Sequence, residues 1–414
     1  MKISMSKAPR ASSKSKAMAV FSRLVRRTAI IVGALALVSC AAPRFPAPPV
    51  GPVPAPSATP TLPVPSDSAG SPRSGDSASL QGVLVQGKSR WVPVPWADLP
   101  GFEGDNLFEA WNAWLKSCER PGPVFAPLCA EVRRLSIASA SEQRAWMMSR
   151  LQPYRVESLQ GAAEGLLTSY YEPVLKASRR PGNGYSVPLY LAPTSLVARK
   201  PWFTRQEIET LPEAQAALRG REIAWLADPI DAMSLHIQGS GRLAINESDG
   251  EQRTVRVAFA GSNEQPFRSI VQWLAEQGQG RMSAPWTESV KAWATQNPQR
   301  LPQLLWSNPR YIFFREEKLS ELDAAFGPRG AQGVPLTPGR SIAVDRQSIP
   351  YGTPVWLASR GAAVDLQKLV IAQDTGSAIV GAVRADYFAG TGFDAGLLAS
   401  RVNQPLRLWV LWPR

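Results

Sequence analysis

Three aspartates toward the end of the chain stand where chemistry could be done. Asp345 follows the apolar stretch 341–344. Asp374 follows Leu369-Val-Ile-Ala-Gln373 and opens Asp-Thr-Gly-Ser377. Asp386 lies in Arg384-Ala-Asp-Tyr-Phe388, with Gly390-Thr-Gly392 and Asp394 close behind. An acid at a strand end beside glycines is open to a ligand. Carboxylates brought together raise one another's pKa, and an apolar wall raises it further. A carboxylic acid kept protonated near neutral pH can donate to a glycosidic oxygen. The same aspartates could instead cap turns and accept from backbone amides. Spacing alone leaves both readings open.

Other chemistries lack carriers. The chain has one histidine, His236, so a His-based triad or a multi-His metal site has no basis. There is no Walker loop, dinucleotide fingerprint or Gly-x-Ser-x-Gly elbow. His236 sits in Ser234-Leu-His-Ile-Gln-Gly-Ser-Gly241, which reads as a strand ending in small polar residues and places His236 as a partly buried polar residue. Gln238 and Ser240 would let amide and hydroxyl groups approach a hydroxylated ligand. Thr168-Ser-Tyr170-Tyr171-Glu172-Pro173 puts adjacent tyrosines at another strand end, and flat rings with polar tips suit sugar faces as well as cores.

These residues need a scaffold. Residues 105–160 read helical, with Ala110-Trp111 and Trp114-Leu115 at three- and four-residue spacing and a second pattern over 140–151. From about residue 165 the pattern turns to short strands between Gly and Pro: 166–171, 187–191, 235–238, 255–259, 311–314, 341–344, 354–357, 369–373 and 406–411. Helical patterns return at 267–277 and 286–297. The fold class is β-rich α+β with helices mostly N-terminal.

The first 39 residues carry eight basic residues and no acid; without them the formal charge of +13 falls to +5, too mild to argue for nucleic acid. Arg23, Arg26 and Arg27 precede an apolar stretch, 28–38, of signal-peptide length that ends in Leu37-Val-Ser-Cys40. Small residues before a Cys resemble a bacterial lipobox, which makes Cys40 the lipidated residue. A transmembrane anchor, the alternative, asks for a longer stretch. From 41 to 80 the chain is Pro, Ala, Ser and Gly with eleven prolines, an extended tether. Cys118 and Cys129 are the other cysteines; in an oxidising compartment they could close a short disulfide loop, or remain two buried thiols.

Together these motifs resemble the membrane-bound lytic murein transglycosylase A family. The matching segments are Leu167-Thr-Ser-Tyr-Tyr-Glu-Pro173, His236-Ile-Gln-Gly-Ser-Gly241, Asn308-Pro-Arg-Tyr-Ile-Phe-Phe314, Val334-Pro-Leu-Thr-Pro-Gly-Arg340, Ser341-Ile-Ala-Val-Asp-Arg346, Ile349-Pro-Tyr-Gly-Thr353, Gln373-Asp-Thr-Gly-Ser-Ala-Ile379 and Arg384-Ala-Asp-Tyr-Phe-Ala-Gly-Thr-Gly392. The C-terminal part resembles the three-aspartate (3D) domain, whose acids match Asp345, Asp374 and Asp386.

The resemblance implies a double-psi β-barrel-like domain with a smaller β-barrel domain inserted and a groove between them. The divisions would be a signal peptide over 1–39, lipidated Cys and tether over 40–80, the first barrel part over 81–172, the insert over 173–314 and the catalytic second part over 315–414. It implies cleavage of the β-1,4 bond between N-acetylmuramic acid and N-acetylglucosamine of peptidoglycan, with a 1,6-anhydro product. Asp386 would be acid and then base and Asp374 its support, with Thr168, Tyr170, Tyr171, Gln238, Ser240 and Asp345 on the substrate. It implies no cofactor or metal. Its partners would be glycan strands, the outer membrane through the lipid, where Ala41 and Ala42 favour outer-membrane sorting, and cell-wall synthesis proteins as candidates. The location would be the periplasmic face of the outer membrane in a Gram-negative bacterium. Here the chain has Asp374-Thr-Gly-Ser377 where relatives can have Asp-Val-Gly-Gly, and Tyr387 where an aliphatic residue can stand. Relatives need no histidine at position 236. A hydrolase of the same bond and a non-catalytic glycan-binding module are the alternatives.

Overall fold

The computed structural model describes residues 82–247, 250–280 and 285–414. The leader, Cys40 and the tether lie outside the described residues. The strands are β1 (Leu84–Gln86), β2 (Ser89–Pro93), β3 (Leu151–Ser158), β4 (Gly165–Glu172), β5 (Val174–Ser178), β6 (Val187–Tyr190), β7 (Glu222–Leu226), β8 (Gly241–Asn246), β9 (Gln252–Ser262), β10 (Ile312–Lys318), β11 (Ser341–Val344), β12 (Pro354–Arg360), β13 (Asp365–Asp374), β14 (Arg384–Thr391) and β15 (Asn403–Pro413).

Nine strands form one sheet in the order β1-β2-β3-β15-β12-β13-β11-β14-β4. The long β15 closes it: Asn403 to Leu406 pair with β4, and Arg407 to Val410 pair with β12. Six strands therefore make a ring, with parallel pairs β11–β13 and β14–β4 inside it. This is the double-psi-like barrel. Its filling is aliphatic: Leu167, Ile342, Val355, Val370, Ala385 and Leu408 are fully buried. The segments 341–344 and 369–372 lack alternation because both their faces are covered.

The outside of the ring is covered by the helices Phe108–Ser117, Cys129–Arg134 and Ala140–Arg150. Trp146 packs edge to face with Trp111 and with Trp114, and Trp111 meets Trp114 at a tilt, in the same cluster as Trp356, Leu369 and Trp409. Cys118 and Cys129 are joined by a disulfide with a Cα–Cα distance of 5.5 Å, which resolves the alternative left by the sequence. The expected helical region ends early. Residues 151–158 are β3, since Pro153 cannot continue a helix and Leu151, Pro153 and Val156 turn inward.

The second sheet runs β10-β9-β8-β5-β7-β6, and a bridge between Leu191 and Phe314 brings its ends together. Leu189, Leu243, Val257 and Phe314 fill it. The residues expected as a strand at 235–238 belong instead to the helix Pro229–Gln238. Asp228 caps its start by accepting from the Ile230 amide at 2.7 Å, Pro229 holds the first position, and Gly239 ends it at φ 81°. Asp-Pro before an apolar run and Gly after it were the sequence signals for that helix.

The chain leaves the first sheet through Glu172 and Pro173. Glu172 is completely buried. Its carboxylate accepts from Arg256 Nε at 2.6 Å, Arg242 Nε at 2.8 Å and Thr391 Oγ1 at 2.8 Å. Both guanidiniums also donate to the Phe326 carbonyl on the returning segment. One acid thus ties β4, β8, β9 and β14 together.

Candidate active site

Register builds the site. Ala343 on β11 lies opposite Asp386 on β14 and, across its other edge, opposite Asp374 on β13. Thr168 on β4 lies opposite Asp386 in turn. Asp374, Ala343, Asp386 and Thr168 therefore form one row across four strands, with side chains on one face. A bulge creates this alignment. Ile342 pairs with Ala372 but Ala343 pairs with Asp374, so Gln373 is the extra residue on β13. Gln373 is pinned in the buried interior: it accepts from Ser341 Oγ, and its Nε2 donates to Ala113 O and Ser117 Oγ, each at 2.8 Å. The small Ala343 leaves the space between the two acids open.

The two acids are held differently. Thr168 Oγ1 donates to Asp386 Oδ1 at 2.5 Å. Arg384 Nη2 donates to the same Thr168 oxygen at 2.8 Å. A guanidinium has no acceptor, so it fixes the hydroxyl proton toward Asp386. Asp374 accepts at Oδ2 from Tyr170 Oη at 2.8 Å and at Oδ1 from the Ala331 amide at 2.9 Å.

Burial pushes the Asp386 carboxyl up to about 6, against the opposing pull of the Thr168 hydroxyl and the Arg384 charge; the charge of Asp374 adds the smallest push. Burial also raises Asp374, opposed by donation from the Thr375 amide, Tyr170 and the Ala331 amide. Tyr170 is raised well above its ordinary value by burial and then by Asp374, so it stays a donor. The apolar surroundings rather than a close carboxylate partner set the acidity of Asp386. Two strand spacings of about 4.8 Å separate the backbones of the two acids, in keeping with that weak coupling.

The row faces a cavity of about 600 Å³ between the two sheets. Tyr170, Ala343, Asp374 and Asp386 line one side, and Gln238, Ser240, Phe259, Asn308, Arg310 and Arg315 the other. A second cavity, also about 600 Å³, adjoins it at Ile237, Gln238 and Phe267; Thr168 and Tyr171 line this one. Gln238 Oε1 accepts from the Tyr171 amide at 3.1 Å, fixing the helix end to β4 where the cavities meet.

Asp345 is brought to neither cavity. Its Oδ2 accepts from Lys88 Nζ at 3.1 Å and the Gly381 amide at 3.0 Å, and its Oδ1 from the Gln347 amide at 3.0 Å. This is the turn-capping role that spacing had left open. Burial alone would raise its pKa; those donors outweigh it and hold the carboxyl below its usual value. Of the residues not singled out from sequence, Arg384 and Ala343 matter most. Arg384 stands two residues before Asp386 on the same strand, a signal that was available. The significance of Ala343 is visible only once the strands are paired.

Among the described residues no group of three or more His, Cys, Asp or Glu side chains could hold a metal ion, and no helix is long and apolar enough to cross a membrane.

Comparison with known proteins gives concordant matches. Residues 166–315 match the family described as the MltA specific insert domain, and residues 340–412 match the 3D domain. The membrane-bound lytic murein transglycosylase A of Vibrio cholerae is 30% identical over 256 residues, covering 59% of this chain and 65% of that protein; the chain thus spans slightly less than two thirds of that relative's length. The lytic transglycosylase LtgG of Burkholderia pseudomallei is 40% identical, with a TM-score of 0.54 over 80% of this chain and 97% of that one. MltA from Neisseria gonorrhoeae is 29% identical, with a TM-score of 0.66 over 80% of this chain and 94% of that one.

Proposed function

Since the chain belongs to the membrane-bound lytic murein transglycosylase A family, we propose that it cleaves peptidoglycan at the β-1,4 bond between N-acetylmuramic acid and N-acetylglucosamine and leaves a 1,6-anhydromuramic end. The observation that carries this is Asp386: a single carboxyl raised to about 6 in a cavity between two sheets, its neighbouring acid already engaged by other donors.

In this reading Asp386 is protonated when substrate binds. Thr168 occupies Oδ1, which leaves Oδ2 for the glycosidic oxygen. Proton donation breaks the glycosidic bond through an oxocarbenium-like state. The carboxylate so formed takes the proton of the muramyl C6 hydroxyl, whose oxygen closes on C1. One carboxylate used twice suffices, and the second step gains from its intramolecular geometry. Asp374 supports by keeping its charge nearby and by holding Tyr170 in place. The two adjoining cavities offer room for several sugars of a strand on both sides of Asp386.

The domain divisions follow as part of the reading, with an insert over about 173–314 between two parts of the barrel. So does the location: lipidation at Cys40 and a Pro-rich tether would hold the enzyme to the periplasmic face of the outer membrane, within reach of glycan strands and cell-wall synthesis proteins.

The test is mass spectrometry of muropeptides released from purified sacculi. Products ending in 1,6-anhydromuramic acid are expected. Reducing ends would mean that water takes the second step and the enzyme is a hydrolase. Bound but uncut sacculi would mean a binding module.

A further inference from the structure

His236 is the chain's one histidine, and the reaction just described does not use it. It is 5% exposed, on the last turn of the helix Pro229–Gln238. Tyr311 packs against the imidazole at 4.3 Å between ring centroids and Phe314 at 5.5 Å, which fixes the ring plane. Arg205 Nη2 stands 2.9 Å from Nδ1. The guanidinium can only donate, so Nδ1 must accept and the proton of the neutral ring must sit on Nε2. Burial and the same positive charge both favour the neutral ring. Nε2–H therefore has a fixed position and a fixed role as donor, and it has no hydrogen-bond partner among the described residues. A buried donor left unsatisfied is destabilising, so it calls for an explanation.

The location supplies one. The ring forms part of the wall of the cavity that holds Asp386, near Gln238 and Asn308. It also borders a smaller cavity of about 530 Å³ inside the insert, and Arg205 lines that one only. The two nitrogens of an imidazole point to nearly opposite sides. With Nδ1 turned to Arg205, which lines only the smaller cavity, Nε2–H points away from that side; its own surface is covered in the free protein, so a ligand in the larger cavity would meet it through a small shift of the lining. We infer that His236 is a specificity-determining residue whose Nε2–H donates to the acetamido carbonyl of an N-acetylated sugar held in the Asp386 cavity. An uncharged donor suits a neutral carbonyl, while the carboxylates of a glycan have Arg310 and Arg315 to meet in the same cavity. The inference rests on the glycan reading of the cavity and goes beyond it by naming the group that is read.

A single histidine makes the test unambiguous. The full chain labelled with ¹⁵N-histidine gives one imidazole signal pair. The Nε2–H tautomer is expected in the free protein. Titration with chitohexaose should move the Nε2–H proton downfield in step with binding, while the fully de-N-acetylated hexamer should leave it in place. The variant His236→Phe keeps a ring and deletes the donor. Its affinity for chitohexaose should fall about tenfold, and its preference for the acetylated over the de-N-acetylated hexamer should shrink by the same factor. An Nδ1–H tautomer, a signal unmoved at saturation, or an unchanged preference in His236→Phe would overturn the inference and leave the glycan reading standing. Failure of any acetylated oligosaccharide or sacculus to bind would overturn both.

Discussion

The nine-stranded sheet gives the cavity its carboxylates, Asp374 and Asp386, whereas the six-stranded sheet and the segments packed with it give Arg310, Arg315, Asn308, Gln238, Ser240 and no acid. The acids sit on strands paired on both sides, where a register fixed by a buried bulge sets each side chain's position. On the six-stranded side the cationic and amide groups come from a helix end, the segment around residue 308 and the rim of β10, while Arg120 and Arg329 line the cavity from elsewhere. In the proposed reading, the groups that need the closest placement are thus on strands held from both edges. In the proposed reading, bond breaking belongs to one wall and recognition mainly to the other.

The largest effect should come from the acid wall. Asp386→Asn should lower kcat by about 10³–10⁴-fold with the fold retained, since one group serves both proton transfers. In the parent, kcat/KM should fall tenfold per pH unit above about 6, where the acid form is lost. The stability change has the opposite sign to the activity change. Burial raises the folded-state pKa, so ionisation costs stability as pH rises from the unfolded value of 3.8 through about 6. Asp386→Asn should therefore be more stable than the parent at pH 8, by on the order of 1–3 kcal/mol, with the gain gone at pH 3. Thermal unfolding at the two pH values measures it. A variant that is both inactive and less stable at pH 8 would make Asp386 a structural residue.

Next is the joint between the walls. Glu172 neutralises two guanidiniums whose side chains are 12% and 6% exposed. Glu172→Gln leaves both without their counter-charge and should cost about 3–5 kcal/mol in urea unfolding, because breaking a buried ion cluster strands the remaining charges. If the two walls are held in register by this residue, KM for long glycan strands should rise more than KM for short oligosaccharides.

A smaller effect distinguishes the two acids. Asp374→Asn should lower kcat about 10–100-fold, since a supporting group contributes less than the one transferring the proton. It should also move the alkaline limb to lower pH. Removing a nearby negative charge lets Asp386 ionise more easily. The shift should be small, because that charge is the weakest of the contributions to the Asp386 pKa. A variant with an unmoved limb would mean that Asp374 acts only through Tyr170.

Much of this division was legible in the residues and the rest only in the pairing. Asp386 and Asp374 announce themselves by type, by glycines and by the apolar runs before them. The aromatic helices and most strands follow from periodicity. Several things did not follow, among them β3, which lies in a stretch that reads helical, and β14, which carries Asp386 and is not among the expected strands. Residues 235–238 end a helix where the sequence pattern predicts a strand, because an apolar run beside Gly-Ser-Gly looks the same at the end of either element, though Asp228-Pro229 marks a helix start. The bulge at Gln373 decides which residue stands opposite Ala343, and an inserted residue has no signature in a single strand. The closure by β15 joins residues 403–406 to β4, more than 230 positions earlier, which no local pattern encodes.

Asp345 gives the smallest effect. It shares residue type and strand-end setting with the other two acids and does none of their chemistry in this reading. Its oxygens are occupied by Lys88 and the amides of Gly381 and Gln347. The Lys88 side chain is 46% exposed, so the ion pair contributes little, and the two amide bonds carry most of the benefit. Its folded-state pKa is lowered, so the stabilisation is present above the unfolded value of 3.8 and fades as pH falls through the folded value. Asp345→Asn should therefore cost about 1 kcal/mol at pH 7 and nothing at pH 2, with kcat within twofold of the parent. A loss of activity beyond tenfold without loss of stability would put the third aspartate in the chemistry. The acid wall would then extend past the row that register defines.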